Sequence, residues 1–428
     1  MTVLLLFGTF ILFLIIGVPI AMALGISALV SIYFGTNLPL GIITQKAFTA
    51  LDSFPLLAIP FFMLAGILMG KGGVSKRLLN LATKLVGWMT GGLSLVTVVA
   101  CMFFAAISGS GPATVAAIGG FMIPAMIARK YESGFAAAVT AAAGSIGVII
   151  PPSIPLVLYG VIGSVSVGSM FLAGVIPGIM IGFGLMITSF IIAKRKGFQS
   201  DTMESFDFSE VLDSAWDAKW ALLIPVIILG GIYGGIFSPT EAAVVAVVYA
   251  LLIGLFVYKE LTWQDVYDSF LEAVTINATT MIIIGLSVSV AYYMTLEQMP
   301  NDIASFLTSI STNPFVILLV INILLFIVGM FIDTISALVV LTPILLPIVT
   351  NVGVDPIHFG IILVANLALG FVTPPLGVNL FVASSVGNVR FERIVTAIIP
   401  FILSMLICLL LITYLPGLSL WLPEFLKK

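Results

Sequence analysis

Two stretches decide the fold: Gly147-Val-Ile-Ile-Pro-Pro-Ser153 and Gly370-Phe-Val-Thr-Pro-Pro-Leu376. Pro151 and Pro374 stand 223 positions apart. The same ungapped offset carries Pro124 onto Pro347, Gly147 onto Gly370 and Pro177 onto Pro400, and it places Ser110 on Asp333. Punctuation residues in one register mark a unit that occurs twice. Each copy breaks an apolar helix where a membrane helix should run on. Repeated broken helices near the bilayer midplane are the sequence mark of secondary transporters.

Composition sets the class. The chain is 61% hydrophobic and 8% charged, with a net charge of −3, whereas soluble domains average roughly 25% charged residues. From Ser133 to Ala193 there are 61 residues without an Asp, Glu, Lys, Arg or His. A span takes about 20 apolar residues, so this stretch crosses or re-enters the bilayer roughly two or three times. The expected fold is an all-α polytopic membrane protein. Charge is confined to loops, and no basic patch points to nucleic acid. Cys101 and Cys408 lie in apolar runs and read as small buried hydrophobes. No cysteine, histidine or carboxylate cluster suggests a bound metal, and no cofactor is implied. No GxxxxGK[ST], GxSxG or HExxH occurs, so ATP hydrolysis and intramembrane catalysis are unsupported and transport would draw on an ion gradient. The opening Met1-Thr-Val-Leu-Leu-Leu-Phe7 lacks a basic start and runs apolar to Tyr33, so it reads as a retained first span.

Apolar runs predict spans near 3–33, 54–70, 92–107, 112–128, 171–193, 219–235, 239–258, 274–294, 314–332, 335–350 and 393–415. Two more, 135–165 and 357–387, are split by the proline pairs and are either kinked spans or re-entrant hairpins. In lipid, irregular backbone survives only where protein or a water-filled cavity covers it, so both breaks belong inside the protein. Ser200–Lys219 and Lys259–Ala273 alternate acidic with aromatic and aliphatic residues, as interfacial arm helices do; solvated loops are the alternative. Lys71, Lys76, Arg77 and Lys84, with Lys194–Lys196, mark a cytoplasmic face, and Lys427 and Lys428 fit a C-terminus on that side. The span count leaves open whether the two units are inverted.

Proline has no N–H, so the carbonyl four residues earlier loses its partner. Pro151 and Pro152 are expected to free the carbonyls of Gly147 and Val148, and Pro374 and Pro375 those of Gly370 and Phe371. A free carbonyl in a dry interior is costly unless something binds it, and sodium is a natural partner. After the prolines, Ser153 and Leu376 are expected to start new helical segments whose N–H groups suit an anion. About 40 residues upstream of each break lies a second irregular segment, Ala106-Ile-Ser108-Gly-Ser110-Gly-Pro112-Ala-Thr114 and Gly329-Met-Phe-Ile-Asp333-Thr-Ile-Ser336. A carboxylate in lipid costs at least ~2.5–3.5 kcal/mol, which makes Asp333 a functional candidate; it could ligate a cation, accept substrate hydroxyls, relay a proton or cap a helix. Ser238-Pro239-Thr240-Glu241 forms a capping box, so Glu241 reads as structural. His358, the single histidine, follows Asp355-Pro356 and reads as a surface residue.

The chain resembles the large membrane subunit (DctM-like, SiaM-like) of the tripartite ATP-independent periplasmic (TRAP) transporters over essentially its whole length. The resemblance rests on LFGTFILFLIIGVPIAMALG at the start, FPLLAIPFFMLAGILM (54–69), SGSGPATVAAIG (108–119), GVIIPPSIPLVLYG (147–160), GGIFSPTEAAVVA (234–246), GMFIDTISALVVLTPILLPI (329–348) and GFVTPPLGVNLFV (370–382). It implies a sodium-coupled importer in the bacterial inner membrane, with a small DctQ-like membrane subunit as a separate chain and a periplasmic DctP-like binding protein. It implies an elevator that moves a core against a scaffold. The units would then be scaffold spans in 1–90, a first core in 91–193, arms and further scaffold in 194–313, a second core in 314–415 and a tail in 416–428. Sodium ligands are expected among Ser108, Gly109, Ser110, Gly111, Gly147, Ile150 and Pro152, and among Gly329, Asp333, Gly370, Thr373 and Leu376. Ser110, Ser153, Asp333 and Asn379 are the candidates to touch substrate.

The sequence constrains the substrate weakly. No Arg or Lys lies well inside a predicted span to pair with a carboxylate. Asp333 would repel a dianion but accept hydroxyl or amide hydrogens, which favours a sialic acid; a C4-dicarboxylate or another organic acid is the alternative. A stand-alone sodium/anion symporter of related architecture would share these features.

Overall fold

The computed structural model of the chain describes residues 2–36, 38–198, 206–299 and 313–426, which form helices and turns only. The first apolar run is two helices. α1 (Thr2–Ile15) ends where Gly17, at φ +89°, takes left-handed backbone, and the Val18 N–H donates to the Phe13 carbonyl at 3.0 Å. That is a glycine-terminated helix end followed by Pro19, which cannot continue it. α2 (Ile20–Gly35) folds back onto α1. The single span expected over 3–33 is therefore a hairpin.

α3 (Gly41–Leu51) was not expected. α4 (Ala58–Lys71) occupies the next predicted span. The second unforeseen helix is α5 (Val74–Val86), which buries Val74, Leu78, Leu81 and Ala82 and turns its basic residues outward. This is the i, i+4, i+7, i+8 stripe of an amphipathic helix.

α6 (Gly92–Ser108) and α7 (Gly111–Ala128) form a hairpin with its tip at Gly109–Ser110. α8 (Ser133–Gly144) passes through a 3-10 turn to Val148, breaks at the cis Pro151–Pro152 bond and resumes as α9 (Ile154–Ile162). α10 (Val167–Lys196), α11 (Phe208–Asp217), α12 (Lys219–Tyr233) and α13 (Pro239–Leu252) follow. α11 lies 66° away from α12 and leaves Trp216 exposed, as an interfacial arm would; residues 200–205 of that expected arm lie outside the described residues. The other arm is not separate. α14 (Trp263–Leu296) is one helix of 34 residues, capped by Thr262 and Asp265, with no proline inside to break it.

A second hairpin comprises α15 (Pro314–Phe331) and α16 (Thr334–Asn351). α17 (Pro356–Gly370) leads into the cis Pro374–Pro375 turn, and α18 (Val378–Gly387) leaves it. α19 (Phe391–Tyr414) and α20 (Gly417–Leu426) complete the bundle. Eight helices among the described residues are long and apolar enough to cross a membrane.

The hairpins open toward opposite ends. Lys196 pairs with Glu132, and Gly134 abuts the Arg393 backbone, so α7 ends and α8 and α19 begin at a basic end. At the other end the Tyr414 hydroxyl donates to the Phe315 carbonyl at 3.1 Å and the Tyr159 hydroxyl to the Pro356 carbonyl at 2.6 Å. Leu426 lies here too, sharing a cavity with Ser166 and Ser238. The last described helix thus lies opposite the basic end, because α19 crosses the bundle before it; Lys427 and Lys428 lie outside the described residues.

At the basic end, α5 binds both connecting segments. Arg77 meets Glu260 at 2.7 Å and Asp217 at 3.9 Å while lying 3.6 Å from the Tyr258 ring, and Lys84 meets Glu210 at 2.6 Å.

Candidate functional site

Gly109 begins the site. It sits at φ +62°, and a methyl there would come within 2.8 Å of the Pro152 carbonyl oxygen. Its own carbonyl accepts the Ile154 N–H at 3.3 Å, which locks the tip of the first hairpin to the first proline break. Ser110 caps α7 by accepting the Ala113 N–H. The Thr114 hydroxyl donates to the Ser110 carbonyl at 2.8 Å and lies 2.9 Å from the Ser108 hydroxyl. Gly147 faces this group: a Cβ there would stand 2.7 Å from both the Ser110 carbonyl oxygen and the Thr114 hydroxyl. The missing side chain leaves a cradle of oxygens. These are the neutral, hard donors that a sodium ion takes, and a methyl would fill it.

The second half is built differently. Gly370 packs directly on the carbonyl of Gly329. Asp333 is the N-cap of α16, its Oδ2 accepting the Ser336 N–H at 3.1 Å. The buried hydroxyls of Thr334 and Ser336 beside it have no partner, nor has Oδ1 of Asn379. Buried polar atoms normally pair; of the three, Thr334 lines the cavity between the two halves and stands available to a ligand there, whereas Ser336 lines a separate apolar cavity with Phe7 and Phe10.

Both halves meet around one cavity of about 190 Å³, lined by Gly109, Ser110, Val148 and Ile154 from the first and by Asp333, Thr334, Phe371 and Val378 from the second. Asn379, fully buried, donates from Nδ2 to the Ala141 carbonyl at 3.1 Å and lies beside Gly111. Of the predicted residues, Gly109, Ser110 and Asp333 line the cavity. Ser108, Gly111, Gly147, Pro152, Ser153 and Asn379 pack around the first tip and break. Gly329 and Gly370 meet next to Phe371. Ile150 turns to α10, packing on Gly178, and the Thr373 hydroxyl donates to the Leu369 carbonyl at 2.8 Å. Leu376 is 46% exposed and precedes the helix it was expected to start, because Gly377 takes left-handed backbone before α18 begins at Val378.

Three of the four carbonyls expected to be free have partners. The Ser153 hydroxyl donates to Val148 at 2.6 Å while Ser153 caps α9. The Thr373 N–H reaches Gly370 at 3.1 Å and the Asn379 N–H reaches Phe371 at 3.1 Å. Each oxygen keeps a second lone pair, so a cation can still be accepted.

His358 is buried at 2% exposure, against expectation, with Nε2 at 3.2 Å from the Thr413 carbonyl, because α19 covers the start of α17. The capping box at Ser238 and Glu241 forms as read. Thr114 and Thr280 were missed. Thr114 lies one turn beyond Ser110 in the same hydroxyl-rich segment. Thr280, a cavity residue, follows Thr275, Asn277 and Thr279 inside an otherwise apolar run.

Residues 7–418 match the family described as the tripartite ATP-independent periplasmic transporter, DctM component. This chain belongs to the DctM family. Among its relatives, the isethionate TRAP transporter permease protein DctMQ of Oleidesulfovibrio alaskensis is 50% identical over 97% of this chain, which spans 65% of that protein. The C4-dicarboxylate TRAP transporter large permease protein DctM of Pseudomonas aeruginosa is 42% identical over 94% of each chain. The sialic acid TRAP transporter large permease protein SiaM of Vibrio cholerae is 38% identical over 95% of each. Among solved structures, the Alcanivorax borkumensis YdaH transporter aligns with a TM-score of 0.63 at 15% identity, covering 90% of this chain and 88% of its own, which is a likeness of fold. The DctM-family chain is thus a multi-pass, non-enzymatic transporter permease subunit.

Proposed function

We propose that this DctM-family subunit moves a small organic anion inward across the bacterial inner membrane, coupled to sodium. The observation that carries the reading is the single cavity lined by both hairpin tips and both proline breaks. Hairpins that open to opposite ends, around breaks in one register, support an inverted repeat. The oxygen cradle at Gly147 supports a first sodium site, and the Gly329–Gly370 contact beside Asp333 a second. An elevator fits this arrangement. The repeat units in 91–193 and 314–415 form the moving core, and 1–90 with 194–313 the scaffold. A periplasmic DctP-like protein delivers the substrate and a DctQ-like subunit completes the scaffold, whether as a separate chain or fused, as the DctMQ name of one relative suggests.

A short acid such as isethionate or a C4-dicarboxylate suits the small cavity and the relatives' substrates. Sialic acid is the second reading, favoured by Asp333, whose carboxylate lines the cavity and accepts hydroxyl hydrogens. Uptake of the three labelled acids into proteoliposomes holding both membrane subunits tests this, with sodium gradient and binding protein supplied or withheld. The reading requires uptake of one acid that depends on both. Uptake without the binding protein would mean a stand-alone symporter, and uptake without sodium would remove the proposed sites.

A further inference from the structure

The cavity between the hairpin tips does not end there. A second cavity, about 680 Å³, shares Met63, Ser110, Pro112 and Ile276 with it and extends to the basic end. One wall is a face of α7 carrying Ala113, Ala116 and Gly120, and the facing wall carries Gly66 and Gly70 of α4. The charged residues of its lining are Lys71, at the end of α4, and Glu272 of α14. Their Nζ and Oε2 atoms lie 3.1 Å apart, and the side chains are 36% and 49% exposed.

We propose that this cavity is the aqueous exit from the site, and that Lys71 is the substrate anion's contact at its mouth, with Glu272 as the resting counter-ion. The inference rests on the transport reading above. An anion leaving Ser110 passes the small residues of α7 and α4, flanked by Ile67, Phe104 and Phe121, and meets its first fixed positive charge at Lys71. An ammonium group has three donors and no acceptor, so it can keep Glu272 on one and offer the others to a carboxylate or sulfonate. An exposed lysine–carboxylate pair is weak, which lets an incoming anion compete for it. Glu272 offsets the Lys71 charge at rest and so limits how far the mouth concentrates unrelated anions. Among the described residues of its lining these two carry the charge, and Asp265 at the start of α14, close enough to act on Lys71, adds to the field at the mouth.

The test is charge-selective labelling of an Ala116→Cys variant in membranes holding both subunits, with impermeant anionic and cationic methanethiosulfonates applied at the basic end. Cys101 and Cys408 are buried and stay in place. Lys71→Gln should lower the anionic-to-cationic rate ratio at least ~3-fold, and Glu272→Gln should raise it comparably, because a lined cleft concentrates counter-ions. Absence of labelling at Ala116→Cys, or a ratio indifferent to both substitutions, would overturn the proposal. In proteoliposomes, Lys71→Gln should also raise the substrate concentration that half-saturates exchange from the basic side at least ~3-fold. An unchanged half-saturation would overturn the substrate role. Should the unsubstituted complex transport no anion while the labelling ratios shift as expected, the transport reading fails and the charge-set mouth stands.

Discussion

Asn379 reaches across the molecule to Ala141: its Nδ2 donates to that carbonyl at 3.1 Å, tying the helix after the second proline break to the helix before the first. Both residues are fully buried. Replacing Asn379 by Leu removes the donor and leaves a buried carbonyl short of a partner, which costs about 1–3 kcal/mol. Thermal unfolding of the purified complex in detergent should show the loss. A midpoint equal to that of the unsubstituted protein would mean that this hydrogen bond adds nothing to the joining of the two halves.

Gly147 and Gly370 should not tolerate alanine. A methyl at Gly147 would enter the oxygen cradle, and one at Gly370 would collide with the Gly329 backbone. Each substitution is expected to raise the sodium concentration that half-saturates transport at least ~10-fold, the effect of ~1.4 kcal/mol of lost ligand geometry. A sodium titration of uptake reads it directly. Normal sodium dependence in Gly147→Ala would exclude the cradle as an ion site.

Ser153 performs two tasks at once, capping α9 and donating to Val148. Ser153→Ala should cost about 1–2 kcal/mol as a lost cap, and Ser153→Thr should restore most of it. A melting series of the two variants separates the hydroxyl from the side-chain volume.

Asp333→Asn keeps a good helix cap and removes the charge, since the two residues cap about equally. Transport should fall at least ~10-fold while the unfolding midpoint stays within the scatter expected of a conserved cap. If uptake is retained, Asp333 is a cap and nothing more.

Arg77 holds Glu260, Asp217 and the Tyr258 ring together. Each exposed pair is worth roughly 0.2–1 kcal/mol, so Arg77→Ala should loosen the connecting segments without unfolding the bundle. Limited proteolysis near residues 206–218 should speed up, more so at low salt, where the lost pairs matter most.

The long runs and their breaks were legible because proline, glycine and hydrophobicity act locally. The limits of α6, α7, α15, α16 and α19 fall within one or two residues of the predicted ones. Gly17-Val18-Pro19 carried a readable stop signal that the hydropathy of the surrounding run masked. The fate of the carbonyls was not legible. That of Phe371 is satisfied by the Asn379 N–H across a tight turn, which depends on the left-handed backbone at Gly377. His358 reads as exposed from its neighbours Asp355 and Pro356, yet Thr413, far along the chain, covers it. Ser108, Ser110 and Asp333 stood out as polar residues in apolar sequence, whereas Thr280 belongs to α14, and only the tertiary fold brings it beside them.

The ion pairs around α5 give the chain's orientation a history. Lys71, Arg77 and Lys84 leave the ribosome well before Glu210, Asp217, Glu260 and Glu272, which later neutralise them. While the first helices are being inserted, these cations have no acidic partners and can set which side stays in the cytoplasm. Once synthesis has passed residue 260, Arg77 and Lys84 are engaged in holding the connecting segments. On the orientation expected from the positive-inside rule, the finished protein reuses residues of its topological signal as mechanical fasteners.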